Sequence, residues 1–289
     1  MSAKPVLAIV GASGFIGRAL HARTLSSQDV FEVVGTGWLR GDTLHRVDIT
    51  NRDAITTFLR EERPRVVIWL AGTKDVKRCE AEEDYAWAMN VTPVRDLAQA
   101  IQQQGLKTQT QVVFFSSDYV FNGERGGYRD CQPPSPTTCY GRSKAEAEQV
   151  LESSGIQHTI VRTSAVMGRG GTFFDWLVSS LTEGKKTELF EDVRFSPTSL
   201  LWLCRQTLSI AFLTDKAPRV VHLCGSQEMS RFEFGSIVAT VMGVNKDIVC
   251  PTKLQSSGDL FRPNLSLVSS DGFRNDKDPA DWVREELMG

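Results

Sequence analysis

After five residues the sequence reads Val6-Leu7-Ala8-Ile9-Val10-Gly11-Ala12-Ser13-Gly14-Phe15-Ile16-Gly17. The five apolar residues are typical of a parallel strand that is buried on both of its faces. Three glycines follow at once, and residues 18–25 then have the pattern of a helix. A strand, a glycine-rich turn and a helix in this order form the context that a dinucleotide-binding fingerprint requires.

The three glycines are spaced as GxxGxxG, a variant of the better-known GxGxxG pattern. Glycines permit a tight turn and let backbone N–H groups approach a pyrophosphate at the N-terminus of the helix. A glycine turn that serves only for packing is the alternative. We expect a cofactor site here, formed by Gly11, Ser13, Gly14, Phe15, Ile16 and Gly17.

Apolar segments alternate with helical patterns through the first half of the chain. Further strands are expected at residues 31–36, 66–72, 112–115 and 158–162, with a short strand before Asp48 and a helix over residues 80–104. This alternation predicts an α/β protein with a Rossmann-type, doubly wound parallel sheet.

The alternation weakens after about residue 165, where the elements become shorter. Helices are expected at residues 173–181, 200–212, 232–242 and 279–287, and a short strand at 219–223. We assign residues 1–165 to a NAD(P)-binding Rossmann domain, with segments near 199–225 packing back on it. Residues 166–289 are assigned to a smaller C-terminal substrate-binding lobe.

The end of the second predicted strand bears on the choice between NADP(H) and NAD(H). The acidic residue that would bind the adenosine ribose of NAD is missing, and Trp38 and Arg40 follow instead. An arginine here can neutralise the 2′-phosphate of NADP, so we favour NADP(H); a solvated surface arginine is the alternative. Asp48, next to Ile49, is a candidate acceptor for the adenine amino group, although capping or turn formation explains it about as well.

Small or polar residues stand at the ends of the strands predicted at 66–72 and 112–115. One more polar residue lies within the helix predicted between them. Leu70-Ala71-Gly72 would let a cofactor pass close to the strand end. Asn90 is polar within an apolar stripe, and it either holds backbone near the active site or caps a neighbouring loop. Ser116-Ser117-Asp118-Tyr119 ends the later strand, at the edge of an open α/β sheet where ligands bind.

Tyr140 and Lys144 are four residues apart, which brings them onto one face of a helix. A free phenol has a pKa of about 10, and a fixed ammonium group nearby stabilises the phenolate and lowers that pKa. The pair is therefore a candidate acid–base group. A partly buried helix face explains the same spacing, so the pair alone does not establish an active site.

Composition and charge exclude several other classes of protein. The chain has 289 residues, of which 41% are hydrophobic, and its net charge of −2 gives no basic footprint for nucleic acid. No apolar run approaches the roughly 20 residues of a membrane span, and the N-terminus lacks a signal-peptide cleavage region. The six cysteines form no CxxC pair, so we expect reduced thiols, no metal site and a cytoplasmic protein.

The motifs together resemble the extended branch of the short-chain dehydrogenase/reductase superfamily, and within it the dTDP-4-dehydrorhamnose reductases. The glycine turn, Ser117, Tyr140 and Lys144 carry the resemblance, and residues 116–123 are similar to the family signature Ser-Thr-Asp-Tyr-Val-Phe-Asp-Gly. Further similarity lies at residues 136–144, 147–148, 162–164, 196–199 and 262–264.

The resemblance implies an NADP(H)-dependent reductase of a 4-keto nucleotide-diphosphate sugar, with the cofactor as the hydride donor. Tyr140 would give the proton, Ser117 would bind the same substrate oxygen, and Lys144 would hold the nicotinamide ribose. The cofactor set implied by the resemblance also includes Asn90, Ser116 and Arg162.

The nucleotide sugar itself would meet four further side chains. Asp118 and Tyr119 are expected beside the sugar, and Arg194 and Arg262 beside the diphosphate, which a guanidinium can bind bidentately. A surface or intramolecular salt bridge is the alternative for either arginine. Lys77 stands where family members often carry an aspartate, and Ala165 stands where an aromatic residue could line the sugar site, so the sugar stays open.

Two other functions fit the same scaffold. An epimerase or dehydratase is the first, although related dehydratases carry a glutamate directly after the aspartate, where this chain has Tyr119. The second is a cofactor-binding regulatory subunit without turnover, because the sequence also resembles the regulatory β subunit of methionine adenosyltransferase. The reductase and the epimerase or dehydratase would each have a nucleotide sugar as the ligand. The sequence leaves open whether the chain forms a homodimer.

Overall fold

A computed structural model of the chain describes residues 4–24, 30–37, 44–213, 217–254 and 261–289. The chain divides into two compact units. The first unit comprises Met1–Val120, Pro136–Val161 and Cys204–Val220, and the second comprises Phe121–Ser135, Arg162–Leu203 and Val221–Gly289. The assignment of substrate binding to residues 166–289 stays a prediction.

Seven strands form the main sheet: β1 (Val6–Val10), β2 (Glu32–Gly37), β3 (Leu44–Arg46), β4 (Val66–Trp69), β5 (Gln111–Phe115), β6 (Gln157–Arg162) and β11 (Val220–His222). Their order in the sheet is β11-β6-β5-β4-β1-β2-β3, and the pairs from β1 to β6 are parallel. The order reverses between β1 and β4, which is the topological switch point of a Rossmann fold. The predicted doubly wound α/β fold is therefore confirmed.

Helices connect these strands: α1 (Phe15–Thr24), α2 (Arg52–Glu62), α3 (Val76–Ala81), α4 (Glu83–Asn90), α5 (Thr92–Gln103) and α6 (Cys139–Ser154). Ala8, Val67 and Val112 of the strands are buried in one core with Leu59 of α2 and Leu97 of α5. Continuous apolar strands covered by apolar helix faces thus form the interior of the first unit.

The helix predicted over residues 80–104 is wrong in its extent, because three short helices occupy this part of the chain. Glu82, between α3 and α4, has a φ of −135° and a ψ of 85°, which is not helical. Pro93 lies in the first turn of α5, where a proline is tolerated but cannot continue a helix from the N-terminal side. The apolar periodicity runs across both breaks, so the pattern conceals them.

Shorter elements build the second unit: β7 (Val166–Met167), α7 (Thr172–Thr182), β8 (Thr187–Phe190), β9 (Arg194–Phe195), β10 (Thr198–Ser199), β12 (Met229–Ser230), α9 (Arg231–Met242), β13 (Val249–Thr252) and α10 (Pro279–Met288). Their strands pair as β10-β7, β12-β9 and β13-β8. Helix α8 (Leu200–Leu213) begins in this unit and ends in the first. The helices predicted at residues 173–181, 200–212, 232–242 and 279–287 agree with α7 to α10 within one residue at each end.

The second unit has its own core. Phe234 of α9 stacks on Trp282 of α10 with ring centroids 5.9 Å apart. Ser230 and Glu233 form a capping box at the start of α9. The side chain of each residue accepts a hydrogen bond from the backbone N–H of the other. Among the described residues no helix is long and apolar enough to cross a membrane, and no His, Cys, Asp or Glu cluster could hold a metal ion.

Candidate active site

The glycine turn joins β1 to α1 and carries the first group of predicted cofactor residues. Gly11 has a φ of +95°, a backbone conformation that other residues rarely adopt. A Cβ atom at Gly17 would lie 2.1 Å from the carbonyl oxygen of Gly11, so this position admits only glycine. Ser13 and Gly14 are exposed at the N-terminus of α1, whose first turn has no acidic side chain. The turn therefore presents the positive end of a helix dipole to solvent.

The end of β4 lies against the same turn. A Cβ atom at Gly11 would lie 2.8 Å from the backbone nitrogen of Ala71. Leu70 and Ala71 are half-buried, as are Phe15 and Ile16 at the start of α1. The structure thus brings together the cofactor candidates that the sequence distributes over two strands.

Asn90 connects the end of β4 to helix α6. It is buried, its Oδ1 accepts the backbone N–H of Thr73 at 2.9 Å, and its Nδ2 donates to Oγ of Ser143 at 3.0 Å. Ser143 in turn donates to the backbone carbonyl of Tyr140 at 2.8 Å. The bond to Thr73, in the loop after β4, is compatible with both predicted roles of Asn90. Gly72 is exposed, but a Cβ atom there would lie 2.6 Å from Oδ1 of Asn90.

Helix α6 carries Tyr140 and Lys144 one turn apart. Thr138 caps its N-terminus, with Oγ1 accepting the N–H of Gly141 at 3.0 Å. Gly155 ends the helix in a left-handed conformation, with a φ of 68°. Tyr140 and Lys144 are 9% and 6% exposed, so both polar groups are held inside the protein rather than on its surface.

The phenol of Tyr140 is enclosed by its neighbours. Its ring lies edge-on to that of Tyr119 with centroids 5.7 Å apart, and its hydroxyl shares a hydrogen bond with Ser117. Burial raises the pKa of Tyr140, and the hydrogen bond with Ser117 lowers it by less. The net shift is thus opposite to the lowering of the pKa that we expected, because the loss of water around the phenolate is the largest effect.

The ammonium group of Lys144 turns to the backbone of β5. Its Nζ donates to the carbonyl oxygen of Phe115 at 2.6 Å and lies 4.2 Å from the ring centroid of Phe114. Burial lowers the pKa of Lys144 to about 8, and the charge of Glu148 acts in the opposite direction. The side chain is therefore mostly charged at neutral pH and titrates just above it.

Ser117 is fixed by two further hydrogen bonds at the C-terminal end of β5. Its Oγ donates to Oδ1 of Asp118 at 2.9 Å and accepts the backbone N–H of Tyr119 at 3.3 Å. Both Ser117 and Asp118 are buried. The hydroxyl thus has a set orientation next to the phenol, which is the arrangement that a proton donor and its hydrogen-bonding partner need.

The family model of the RmlD substrate binding domain matches residues 5–286. The chain belongs to this family. A probable low-salt glycan biosynthesis reductase of Haloferax volcanii, Agl14, is 30% identical over 88% of this chain and 85% of its own length. Methionine adenosyltransferase 2 subunit beta of Pongo abelii is 24% identical over 80% of this chain and 70% of its own length.

A solved structure supports the same family at the level of the fold. The dTDP-4-dehydrorhamnose reductase of Bacillus anthracis, in complex with NADP, superposes with a TM-score of 0.86 over 99% of both chains at 24% identity. The RmlD-family chain therefore has the complete fold of that reductase. The resemblance noted from its motifs is confirmed.

The remaining cofactor candidates of this RmlD-family chain differ in their surroundings. Oδ1 of Asp48 accepts from the backbone N–H and from Oγ1 of Thr50, at 2.9 and 2.7 Å, so turn formation accounts for its position. Ile49 is half-buried against the core of the first unit. Trp38 and Arg40 lie outside the residues that the structure describes. Their contact with a cofactor stays a prediction.

Three of the four arginines predicted to contact ligands, Arg162, Arg194 and Arg262, belong to the second unit. Arg162 is buried, and its Nη1 donates to the backbone carbonyls of Asp130 and Gln132 at 3.4 and 3.3 Å. These contacts hold Arg162 against the backbone of residues 130–132, and its contact with a cofactor stays a prediction.

Arg194 and Arg262 were the candidates for the diphosphate. Arg194 forms ion pairs with Glu228 at 2.6 Å and with Glu233 at 3.4 Å, which is the intramolecular alternative for this residue. Arg262 is half-buried, and its Nη1 donates to the carbonyl of Phe261 at 3.3 Å. The contact of either arginine with a diphosphate stays a prediction.

Sequence reasoning missed three polar residues around Tyr140 and Lys144. Glu148 accepts a hydrogen bond from Ser116, Ser143 connects Asn90 to α6, and Thr138 caps α6. Glu148 lies four residues after Lys144, so the helical spacing that identified the lysine was a signal for the glutamate as well. Ser143 and Thr138 gave no comparable signal.

Proposed function

We propose that the chain is an NADP(H)-dependent reductase that reduces the keto group of a 4-keto nucleotide-diphosphate sugar. One observation carries the proposal: a buried Tyr140, hydrogen-bonded to Ser117 and one helical turn from a buried Lys144. The family to which the chain belongs and the reductases among its relatives support the same chemistry.

The glycine turn fits a dinucleotide cofactor. Backbone N–H groups at the N-terminus of α1 favour an anion, and no acidic side chain in the first turn opposes it. Gly11, Gly14 and Gly17 would let the pyrophosphate approach the backbone, and Lys144 would hold the nicotinamide ribose. The bound cofactor would supply the hydride, and the protein would supply orientation and the proton.

Tyr140 would donate its proton to the carbonyl oxygen of the sugar. The phenol is protonated at neutral pH and so carries the proton to be donated, although the burial that raises its pKa makes it a weaker acid. Ser117 would turn its hydroxyl proton from Oδ1 of Asp118 to the same oxygen and so orient that oxygen toward the phenol. The charged Lys144 would stabilise the negative charge that develops on the tyrosine as the proton leaves.

The substrate would be held by residues of both sequence halves. Asp118 and Tyr119 follow Ser117 directly, so they are proposed to contact the sugar, and Arg262 to bind the diphosphate. An epimerase or dehydratase is the less favoured enzyme, because Tyr119 occupies the position of the extra acid in related dehydratases.

A regulatory subunit is the second candidate function. The observation in its favour is the similarity to methionine adenosyltransferase 2 subunit beta over 80% of this chain. A regulatory subunit would bind the cofactor at the same site but would not turn over a substrate.

The test of the proposed function measures binding first and turnover second. The purified protein is titrated with NADPH and with NADH by calorimetry, and NADPH oxidation is then followed with a 4-keto dTDP-sugar. We expect tighter binding of NADPH and oxidation that depends on the sugar. Binding without oxidation on any keto-sugar tested would contradict the reductase and favour the regulatory subunit, whose partner enzyme would then be sought by co-purification.

The choice of NADP(H) depends on Arg40. Replacing Arg40 by Ala should weaken NADPH binding much more than NADH binding, because only NADPH has a 2′-phosphate for the guanidinium to neutralise. Calorimetric Kd values for both cofactors give the measurement, with Arg142→Ala, a surface arginine of α6, as the control. Equal weakening of the two cofactors, or none, would mean that other residues bind the 2′-phosphate.

A further inference from the structure

The carboxylate of Glu148 is buried on the same helix face as Lys144. Glu148 is 2% exposed and lies one turn after Lys144 in α6. A carboxylate is almost never fully buried without a charged or hydrogen-bonded partner, because its transfer out of water is costly. The proposed reduction does not use Glu148, so its burial needs another explanation.

The hydrogen bonds of Glu148 fix its carboxylate at the end of β5. Oε1 accepts from Oγ of Ser116, and the backbone N–H of Ser116 donates to the carbonyl of Val161 at 2.7 Å. The residue that directly follows β5 therefore holds the carboxylate in place. The charge is positioned by the core of the fold and not by solvent.

The ammonium group of Lys144 needs a counter-charge at this point. Its described contacts are the carbonyl oxygen of Phe115 and the ring face of Phe114, which are both neutral. Neutral partners compensate a buried charge only in part, and a nearby opposite charge favours the ionised form. The charge of Glu148 raises the pKa of Lys144, whereas burial lowers it.

Other charged and titratable groups stand on the elements around α6, and some of them act on residues of its first turn. Asp118 and Tyr119 follow β5 and Cys79 belongs to α3, and all three act on Tyr140. Glu80 of α3 and Glu83 of α4 act on Cys139. Helix α5 contributes Arg95 and Asp96, and β6 contributes His158, whose described charged partner is Arg219. For Lys144, burial and Glu148 are the described influences.

We propose that Glu148 is a positioning residue whose buried carboxylate keeps the ammonium group of Lys144 charged and oriented toward β5. Glu148 thereby sets the upper pH limit at which Lys144 supports the reaction. This inference rests on the proposed function for its effect on turnover, but the state of Lys144 itself is measurable without any turnover.

The direct test titrates Lys144 in the whole protein. Lysine labelled with ¹³C at Cε is incorporated, and the Lys144 signal is identified by its loss in Lys144→Met. We expect a midpoint near 8 in the native protein. In Glu148→Gln, which keeps the size and the acceptor for Ser116 but removes the charge, the midpoint should fall by about one pH unit or more.

Two further variants complete the test. Glu152→Gln removes an exposed carboxylate from the same helix, and its Lys144 midpoint should equal that of the native protein. Glu148→Asp keeps the charge but moves it back by one methylene, so its midpoint should lie between those of the native protein and Glu148→Gln. An unchanged midpoint in Glu148→Gln would overturn the proposal. If that variant does not fold, a Glu148→Asp midpoint at or above the native one would overturn it.

NADPH oxidation then separates this inference from the proposed function. In Glu148→Gln the alkaline limb of kcat/KM should move to lower pH together with the Lys144 midpoint, and Glu148→Asp should restore part of it. A shifted midpoint in a protein without turnover would support the role of Glu148 and contradict the reductase. A shifted midpoint with an unmoved pH profile of an active enzyme would overturn the pH limit that we propose.

Discussion

Replacing Tyr140 by Phe is expected to lower kcat about 10²- to 10⁴-fold, the usual contribution of a positioned acid. The substitution removes the phenolic hydroxyl and keeps the ring that packs edge-on against Tyr119. NADPH affinity should therefore change little, since the groups proposed to bind the cofactor are untouched. The hydrogen bond with Ser117 is lost, which should lower the free energy of unfolding by about 1 kcal/mol.

Three measurements on Tyr140→Phe separate these effects. NADPH oxidation with the keto-sugar gives kcat, calorimetry gives the Kd for NADPH, and urea unfolding gives the change in stability. Tyr85→Phe is the control, because it also removes a hydroxyl that donates a hydrogen bond, to Thr73, in the same unit. Full turnover in Tyr140→Phe would show that another group donates the proton.

Replacing Gly17 by Ala is expected to abolish measurable NADPH binding and to lower the free energy of unfolding by about 3 kcal/mol, the upper end for overpacking. The new Cβ atom would lie 2.1 Å from the carbonyl oxygen of Gly11 and 2.8 Å from Cα of Ala12. Both obstacles are backbone atoms, so no side chain can move aside. The turn between β1 and α1 would have to open, and the pyrophosphate would lose its binding site.

Gly14→Ala provides a graded comparison within the same turn. A Cβ atom at Gly14 would lie 3.3 Å from the carbonyl oxygen of Gly11, a contact that a small backbone shift can relieve. Urea unfolding should therefore find Gly14→Ala markedly more stable than Gly17→Ala. Equal stability of the two variants would contradict the steric argument, whatever the effect of either on NADPH binding.

The sequence was sufficient to predict the main sheet because its strands are buried on both faces and read as continuous apolar runs. The breaks within residues 80–104 escaped prediction because apolar side chains continue across Glu82 and Val91 with helical spacing. Periodicity reports which face is buried, whereas a break depends on the φ and ψ of single residues.

The sequence predicted that Tyr140 and Lys144 share a helix face, but it did not predict the direction in which the pKa of the phenol is shifted. The spacing of Tyr140 and Lys144 brought them onto one helix face, and both are buried there. Their burial reverses the expected effect on the phenol, because its pKa rises where an exposed pair would have lowered it. The partners of Arg194 lie 34 and 39 residues further along the chain, so local spacing could not reveal them.

The Asn90 bridge limits how the catalytic helix can move. One planar amide spans from the backbone after β4 to Ser143 of α6, with an acceptor at one end and a donor at the other. Because this planar amide is hydrogen-bonded at both ends, a shift of the strand end beside the glycine turn is passed on to the turn of α6 that bears the phenol. The backbone after β4, beside the proposed cofactor site, and the turn of α6 that bears the proposed proton donor are thus joined through a single side chain.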